Sequence, residues 1–377
     1  MFPKSVYKTR RQLLAKDIES GIILMLGNSE APANYQDNTY KYRQDSTFLY
    51  FFGLQDPDFA GVIDADKGES ILFGNDVSID DIIWMGPQKS VAEKAAEVGV
   101  SKTKTLSDLG KYIKAALKAG KKIHYINPYR YQAKLFLSEL LGVPVAKLQK
   151  MQSVKLIKAA VSQRIVKDKY EIAEIDYACN IGYAMHYFVM QNCKPGVTEQ
   201  SLAGMMDGIA MSNGAGVSFA TILSQHGETL HNHDHSGIIT KGKLLTVDAG
   251  AENNNNYCSD FTRTIPCSGK FTTKQKEIYQ IVCDCNNLAL KLAKPGVAYF
   301  DVHVAVYRLM AERLKALGLM KGDVEEAVAA GAPALFMPHG LGHNMGLDVH
   351  DMENYGEDYV GYGISRSEER FSRNAET

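Results

Sequence analysis

A tetrapeptide recurs after one hundred residues: Lys194-Pro195-Gly196-Val197 returns as Lys294-Pro295-Gly296-Val297. Each copy ends a long helical pattern, residues 169–193 and 273–293, because Pro and Gly cannot continue a helix. Each is followed by a second helical pattern, residues 198–214 and 298–318. A chance match would not carry matching flanks, so this part of the chain reads as a duplicated half-domain. The first half runs on into SFATILSQHGETLHNHDH, the second into ALFMPHGLGHNMGLDVHD. Equivalent halves would each close with a strand and carboxylates. After His350 the second half offers only MENYGEDYVGYGISRSEERFSRNAET, polar and charged, with no apolar β-rich run. Its acids Glu353, Glu357, Asp358, Glu368 and Glu369 sit in no strand-like context, so the chain is expected to stop before this fold is complete.

The first half closes with residues 244–266, LLTVDAGAENNNNYCSDFTRTIP. β-Branched and aromatic residues flank an Asn run that tolerates turn geometry, which predicts a hairpin. With a loop at Asn253–Asn255, Glu252 faces Asn256 and Asp248 faces Asp260. Two carboxylates so placed lie about 5 Å apart at Cβ and repel, unless a divalent cation turns the repulsion into ligation. Hard oxygen donors of this kind suit Mg, Ca or Mn. The alternative is a one-residue change of register, which sends the aspartates to opposite faces, both solvated.

Bulk properties narrow the field. At 377 residues there is chain enough for two domains, with 45% hydrophobic and 23% charged residues, as in soluble globular proteins. A net charge of −1 gives no bulk electrostatic case for nucleic acid or an anionic membrane surface. No apolar run approaches the roughly 18–20 residues that span a bilayer. The basic N-terminus lacks the apolar stretch of a signal peptide. Six cysteines, at 179, 193, 258, 267, 283 and 285, form no CxxC pair and fit reduced thiols in a cytoplasmic protein.

The N-terminal part predicts a mixed α/β layer domain. Residues 6–20 read as a short helix and GIILML as a buried strand. The aromatic-rich DSTFLYFFGL, residues 45–54, follows a polar loop. AGVIDAD and ESILFGN read as a hairpin, and helical patterns at 91–98, 106–119 and 131–141 alternate with a strand at 121–127. No glycine-rich phosphate loop follows any strand, so this domain is taken as a scaffold or a wall for substrate access. Its single tryptophan, Trp84, is expected to pack. The domains are placed at 1–158 and 159–377.

Histidines cluster at 226, 231, 233 and 235 and again at 339, 343 and 350. Four glycines in HGLGHNMGLDVHD argue for an extended, bent segment that brings imidazoles to a site. Imidazole serves both as metal ligand and as proton carrier near neutral pH. His233 and His235 suit a solvated loop equally well, and His226 is left undecided.

DSTFLYFFGL, RIVKDKYEIAEI, LHNHDH, VDAG…SDFTRTIP and HGLGHNMGLDVHD occur here in order. In this the chain resembles the aminopeptidase P (Xaa-Pro aminopeptidase) branch of the pita-bread metallopeptidases, relatives of prolidase and creatinase. The resemblance extends to Asp351. It implies a creatinase-like N-terminal α/β domain and a pita-bread domain of two pseudo-symmetric halves, incomplete at its C-terminus. It implies removal of the first residue from peptides with proline in second position, with two divalent metal ions, most often Mn²⁺. By motif, Asp248, Asp260 and His343 match metal ligands. His231, His339 and His350 match histidines that contact substrate or assist proton transfer. Proline-containing peptides are then the substrates, and a homo-oligomer, dimer or tetramer, is expected. One residue more than in the family pattern lies between the aspartates, to be taken up by a bulge or longer turn.

The departure is the family's two metal-binding glutamates, for which no matching motif follows the VHD segment. Asp248 and Asp260 alone leave two dications with a formal excess of two positive charges, so the 377-residue chain is expected to bind metal poorly and to turn over slowly. Alternatives are prolidase, which cleaves dipeptides only, and a non-catalytic peptide-binding relative. Creatinase works without metal and would have no use for the paired aspartates and His343.

Overall fold

The structure is a computed structural model and describes residues 1–361. The chain divides into two compact units. One comprises Met1–Ile172 and Met352–Val360; the other contains Ala173–Asp351. The break expected at 158/159 falls inside a helix, Val154–Arg164, and the division comes after Ile172. Among the described residues no helix is long and apolar enough to cross a membrane.

The first unit is built on a five-stranded mixed sheet. Its order is Lys102–Lys104, Glu69–Phe73, Ala60–Asp64, Ile22–Leu26, Ile123–His124. The predicted hairpin is there, with Ala60 paired to Phe73 and Asp64 to Glu69. The strand expected at 121–127 forms over two residues only. Apolar side chains from one face (Ile22, Leu24, Val62, Ile71, Phe73) bury against helices Ser107–Lys118 and Tyr131–Leu141. Gly61 admits the Phe52 ring, whose nearest atom would lie 2.2 Å from an added Cβ. That ring comes from the aromatic segment, which folds as helix Ser46–Phe52, N-capped by Asp45 and stopped by Gly53 at φ 67°.

Trp84 corrects an expectation. It lies on helix Ile79–Met85, of which no residue is buried, and is itself 86% exposed. Asp80 and Asp81, with the Ser78–Asp81 capping box, fix the helix start, but its apolar residues find no core within the unit.

In the second unit both KPGV copies form the same turn. Gly196 takes φ 91° and Gly296 φ 87°, the left-handed region that favours glycine, and each turn ends helices Lys169–Asn192 and Thr273–Leu292. Helices Glu199–Asn213 and Tyr299–Ala316 follow. The first helix pair packs on a three-stranded antiparallel sheet ordered Phe261–Pro266, Leu244–Ala249, Ile222–Ser224. Met185, Val189, Leu202, Met206, Leu223, Leu245 and Val247 fill the space between. The second pair packs through Ile281, Cys285, Val306, Met310 and Leu314. Among the described residues no strand follows Pro266, and Glu353, Glu357 and Asp358 lie in two short 3-10 turns. Glu368 and Glu369 lie outside the described residues.

Candidate active site

Asp248 lies on strand Leu244–Ala249 and Asp260 directly precedes the neighbouring strand Phe261–Pro266, in a register that differs from the expected one. Asp248 pairs with Thr262 and Ala249 with Phe261, and the ladder resumes as Glu252 opposite Cys258. The pairing is therefore two residues out from Asp248 facing Asp260. The reason lies in the turn. Asn253 Oδ1 accepts from Asn255 and Tyr257 backbone N–H groups, and Asn256 takes φ 66°, so the loop holds more residues than the sequence reading allowed. Glu174 locks the turn from outside by accepting from Asn253 Nδ2 at 2.6 Å and Asn255 Nδ2 at 2.8 Å. A shift of two preserves side-chain direction, because strand side chains alternate with period two. Asp248 and Asp260 stay on the same face.

Their surroundings favour a cation. Asp248 is partly buried, and its Oδ1 has no hydrogen-bond partner among the described residues. Burial pushes its carboxyl above the ordinary range; a hydrogen bond from Thr262 opposes this, and nearby Asp260 adds to it. An orphaned buried carboxylate oxygen beside a second carboxylate is what a hard divalent cation would satisfy.

His343 approaches from the glycine-bent segment. Its Nε2 lies 3.1 Å from Asp260 Oδ2, and its Nδ1 donates to the Asn344 carbonyl at 3.0 Å. That second contact sets the tautomer and leaves Nε2 facing the carboxylate. The His350 ring stacks on that of His343 with centroids 4.0 Å apart. His231 is exposed on its loop. His339 is exposed and bonds its Nδ1 to the Gly340 carbonyl, with no contact to the aspartates among the described interactions. His226 pairs with Glu228 at the surface, and His233 is exposed. Among the described residues, no group of three or more His, Cys, Asp or Glu side chains is gathered closely enough to hold a metal by itself. Asp248, Asp260 and His343 have the chemistry of a metal site and the pairwise contacts of one.

One residue at this site was outside the sequence reading. His186, on helix Lys169–Asn192, is buried and directs its Nε2 to the Ala249 carbonyl at 3.1 Å, bracing the strand next to Asp248. Burial holds its imidazole below the ordinary range. Its place on an otherwise apolar helix face was the available signal, and that pattern also describes an ordinary core histidine.

Comparison with known proteins identifies the family. The family model described as aminopeptidase P, N-terminal domain, matches residues 7–125, and that of metallopeptidase family M24 matches residues 173–372. The chain is 30% identical to the Xaa-Pro aminopeptidase of Escherichia coli K12, covering 93% of this chain and 82% of that one. It is 31% identical to a probable Xaa-Pro aminopeptidase of Chaetomium globosum, covering 92% of this chain and 57% of that one. The solved structure of zinc-substituted E. coli aminopeptidase P in complex with product superposes with a TM-score of 0.83 at 30% identity, covering 95% of this chain and 84% of that one. The same enzyme with the inhibitor Pro-Leu also gives 0.83, at 29% identity and the same coverage. With an aminopeptidase P N-terminal domain model over residues 7–125 and an M24 metallopeptidase model over residues 173–372, the chain belongs to metallopeptidase family M24, on its aminopeptidase P branch.

Proposed function

We propose that this protein is a metal-dependent exopeptidase that removes the N-terminal residue from peptides with proline in second position. The observation that carries the reading is the partnerless buried Oδ1 of Asp248, beside Asp260 and the imidazole that meets it. Asp248, Asp260 and His343 Nε2 would hold two divalent ions, Mn²⁺ by preference. Bound there, the ions supply a nucleophilic water at neutral pH and polarise the scissile carbonyl. His343 is oriented for ligation by its bond to Asn344. His231, and His350 whose ring stacks on that of His343, would stabilise charge on the carbonyl oxygen and deliver a proton to the departing proline nitrogen. His339 is the third histidine of this group and would meet substrate farther from the aspartates. Pro-Leu bound to the E. coli relative supports a proline-bearing peptide as ligand.

Charge balance bears on rate. Two dications about 3.5 Å apart repel by on the order of 15–20 kcal/mol at an effective dielectric near 20. The described donors, two carboxylates and one imidazole, offset only part of that, and any further oxygen donor that joins them raises metal occupancy and with it the rate. A homo-oligomer belongs to it as well, supported by the exposed Ile79, Ile83, Trp84 and Met85 of one surface helix.

The test is hydrolysis of Ala-Pro, an Ala-Pro-initiated pentapeptide and its Ala-Ala counterpart by the purified chain with and without Mn²⁺, alongside metal analysis. Mn²⁺-dependent release of alanine from both proline peptides is expected. Cleavage of the dipeptide alone would mean a prolidase. Absent metal with intact peptide binding would mean a non-catalytic relative.

A further inference from the structure

Residues 226–237 carry four histidines on a loop with almost no regular structure, between strand Ile222–Ser224 and Ile238, which bridges to Thr198. Something must hold the loop there. We propose that Glu199 is the positioning residue for this histidine loop, a role that rests on the peptidase reading above.

Glu199 opens helix Glu199–Asn213 after the N-cap Thr198. Acids in a helix's first turn favour its positive end and commonly stay solvated. Glu199 is only 2% exposed and spends its carboxylate on the loop. Its Oε1 accepts from the Gln225 backbone N–H at 2.8 Å and from Gln225 Nε2 at 3.1 Å. Gln225 then clasps the far end of the loop: Nε2 also donates to the Ile238 carbonyl at 3.0 Å, and Oε1 accepts from the Thr240 N–H at 2.8 Å. One glutamine thus ties both ends, and Glu199 holds the glutamine.

The helix start is part of the same clamp. The Glu199 N–H donates to the Gly237 carbonyl at 2.9 Å and the Gln200 N–H to the His235 carbonyl at 3.0 Å. Gly237 lies so near that a Cβ there would be 2.7 Å from Glu199 Oε2. From Gln225 the order passes to Ser224, whose Oγ accepts from the His226 N–H and from Asn232 Nδ2, both at 3.0 Å. Asn232 adjoins His231. A buried carboxylate is costly unless its hydrogen bonds are made, and those it makes here all order this loop.

The experiment compares Glu199→Ala, Glu199→Gln and, as a stability control, Met206→Ala, a core change seven residues further along the same helix, in the full chain. The glutamine variant keeps an acceptor oxygen for Gln225. Backbone amide exchange over residues 226–238 is expected to rise about ten-fold or more in Glu199→Ala, well beyond any rise in Met206→Ala, and to stay near the parent value in Glu199→Gln. On an Ala-Pro peptide with Mn²⁺, Glu199→Ala should lower kcat about ten-fold with KM little changed, and Glu199→Gln should restore it. Unchanged loop exchange in Glu199→Ala, or equal loop opening in Met206→Ala, overturns the proposal. If the parent cleaves no proline peptide, the peptidase reading fails, while the exchange data still decide whether Glu199 holds the loop.

Discussion

Arg164 Nη1 donates to the Tyr355 hydroxyl at 2.6 Å, joining residues 191 positions apart within the N-terminal unit. The guanidinium is fully buried, and the Thr47 hydroxyl meets the same phenol oxygen. Through this contact the segment Met352–Val360 is tied to a unit otherwise complete by Ile172. Tyr355→Phe keeps the ring and removes an acceptor from a buried cation, at a cost of about 1.5–3 kcal/mol. Denaturant unfolding of the N-terminal unit should show that loss, with faster amide exchange over residues 352–360. An unchanged midpoint would mean that the hydroxyl contributes nothing net.

That tie could not be read from sequence, and the reason is general. Helices announce themselves through periodicity and through the Pro and Gly that end them, so the patterns at 131–141 and 169–193 reappear as Tyr131–Leu141 and Lys169–Asn192. A segment such as ENYGEDY has no period and gains its place from tertiary contacts, those of Tyr355 with Arg164 and Thr47 among them. The hairpin shows the intermediate case. Its strands followed from alternation, which left a shared face or opposite faces open for Asp248 and Asp260. Its register depended on how Asn253 folds back onto Asn255 and Tyr257, which is side-chain geometry that residue types alone do not fix. Trp84 fails for the opposite reason: aromatic burial is a statistical habit, and this helix has no neighbour in its unit to make it true.

Gly250 marks where strand Leu244–Ala249 comes closest to its partner chain segment. A Cβ there would lie 1.7 Å from the Ser259 carbonyl oxygen and 2.5 Å from Ser218 Oγ. Backbone cannot yield as a flexible side chain does, so Gly250→Ala is expected to cost about 3 kcal/mol or more. Gly204, with nothing within 4 Å of its added Cβ and a place inside helix Glu199–Asn213, should respond in the other direction. Gly204→Ala is expected to stabilise by about 0.5–1 kcal/mol through helix propensity. Thermal unfolding of the two variants side by side checks both signs.

The six cysteines should separate by access to reagent. Cys193, Cys258, Cys267 and Cys285 are buried, while Cys179 and Cys283 are half-buried. Burial, with Asp176 nearby, pushes the Cys179 thiol up, which lowers its reactive thiolate fraction at neutral pH. Timed alkylation with peptide mapping is expected to label Cys283 first and Cys179 second. The four buried thiols should lag by on the order of 100-fold, since they react only from opened states. Early labelling of Cys258, which sits in the hairpin between the two aspartates, would mean that the hairpin opens in the native state.

Asp248 links stability to metal. Burial, reinforced by Asp260, holds its carboxyl above the ordinary range in the folded protein. The folded state therefore binds that proton more tightly than the unfolded chain does. The stability this confers is fully present below the unfolded carboxylate value and is lost as pH rises through the folded one. At neutral pH the metal-free protein carries the ionised group as a burden, whereas a bound cation reverses its sign. Asp248→Asn removes the charge while keeping the shape. The metal-free variant should melt above the parent at pH 7 and lose less stability between acid and neutral pH. Free Mn²⁺ at about 100 times its Kd should stabilise the parent by roughly 2.7 kcal/mol and leave the variant's melting unchanged. Calorimetry with and without Mn²⁺ across that pH range reads both effects. A variant that melts below the parent without metal, or that responds equally to Mn²⁺, would remove Asp248 from the metal site.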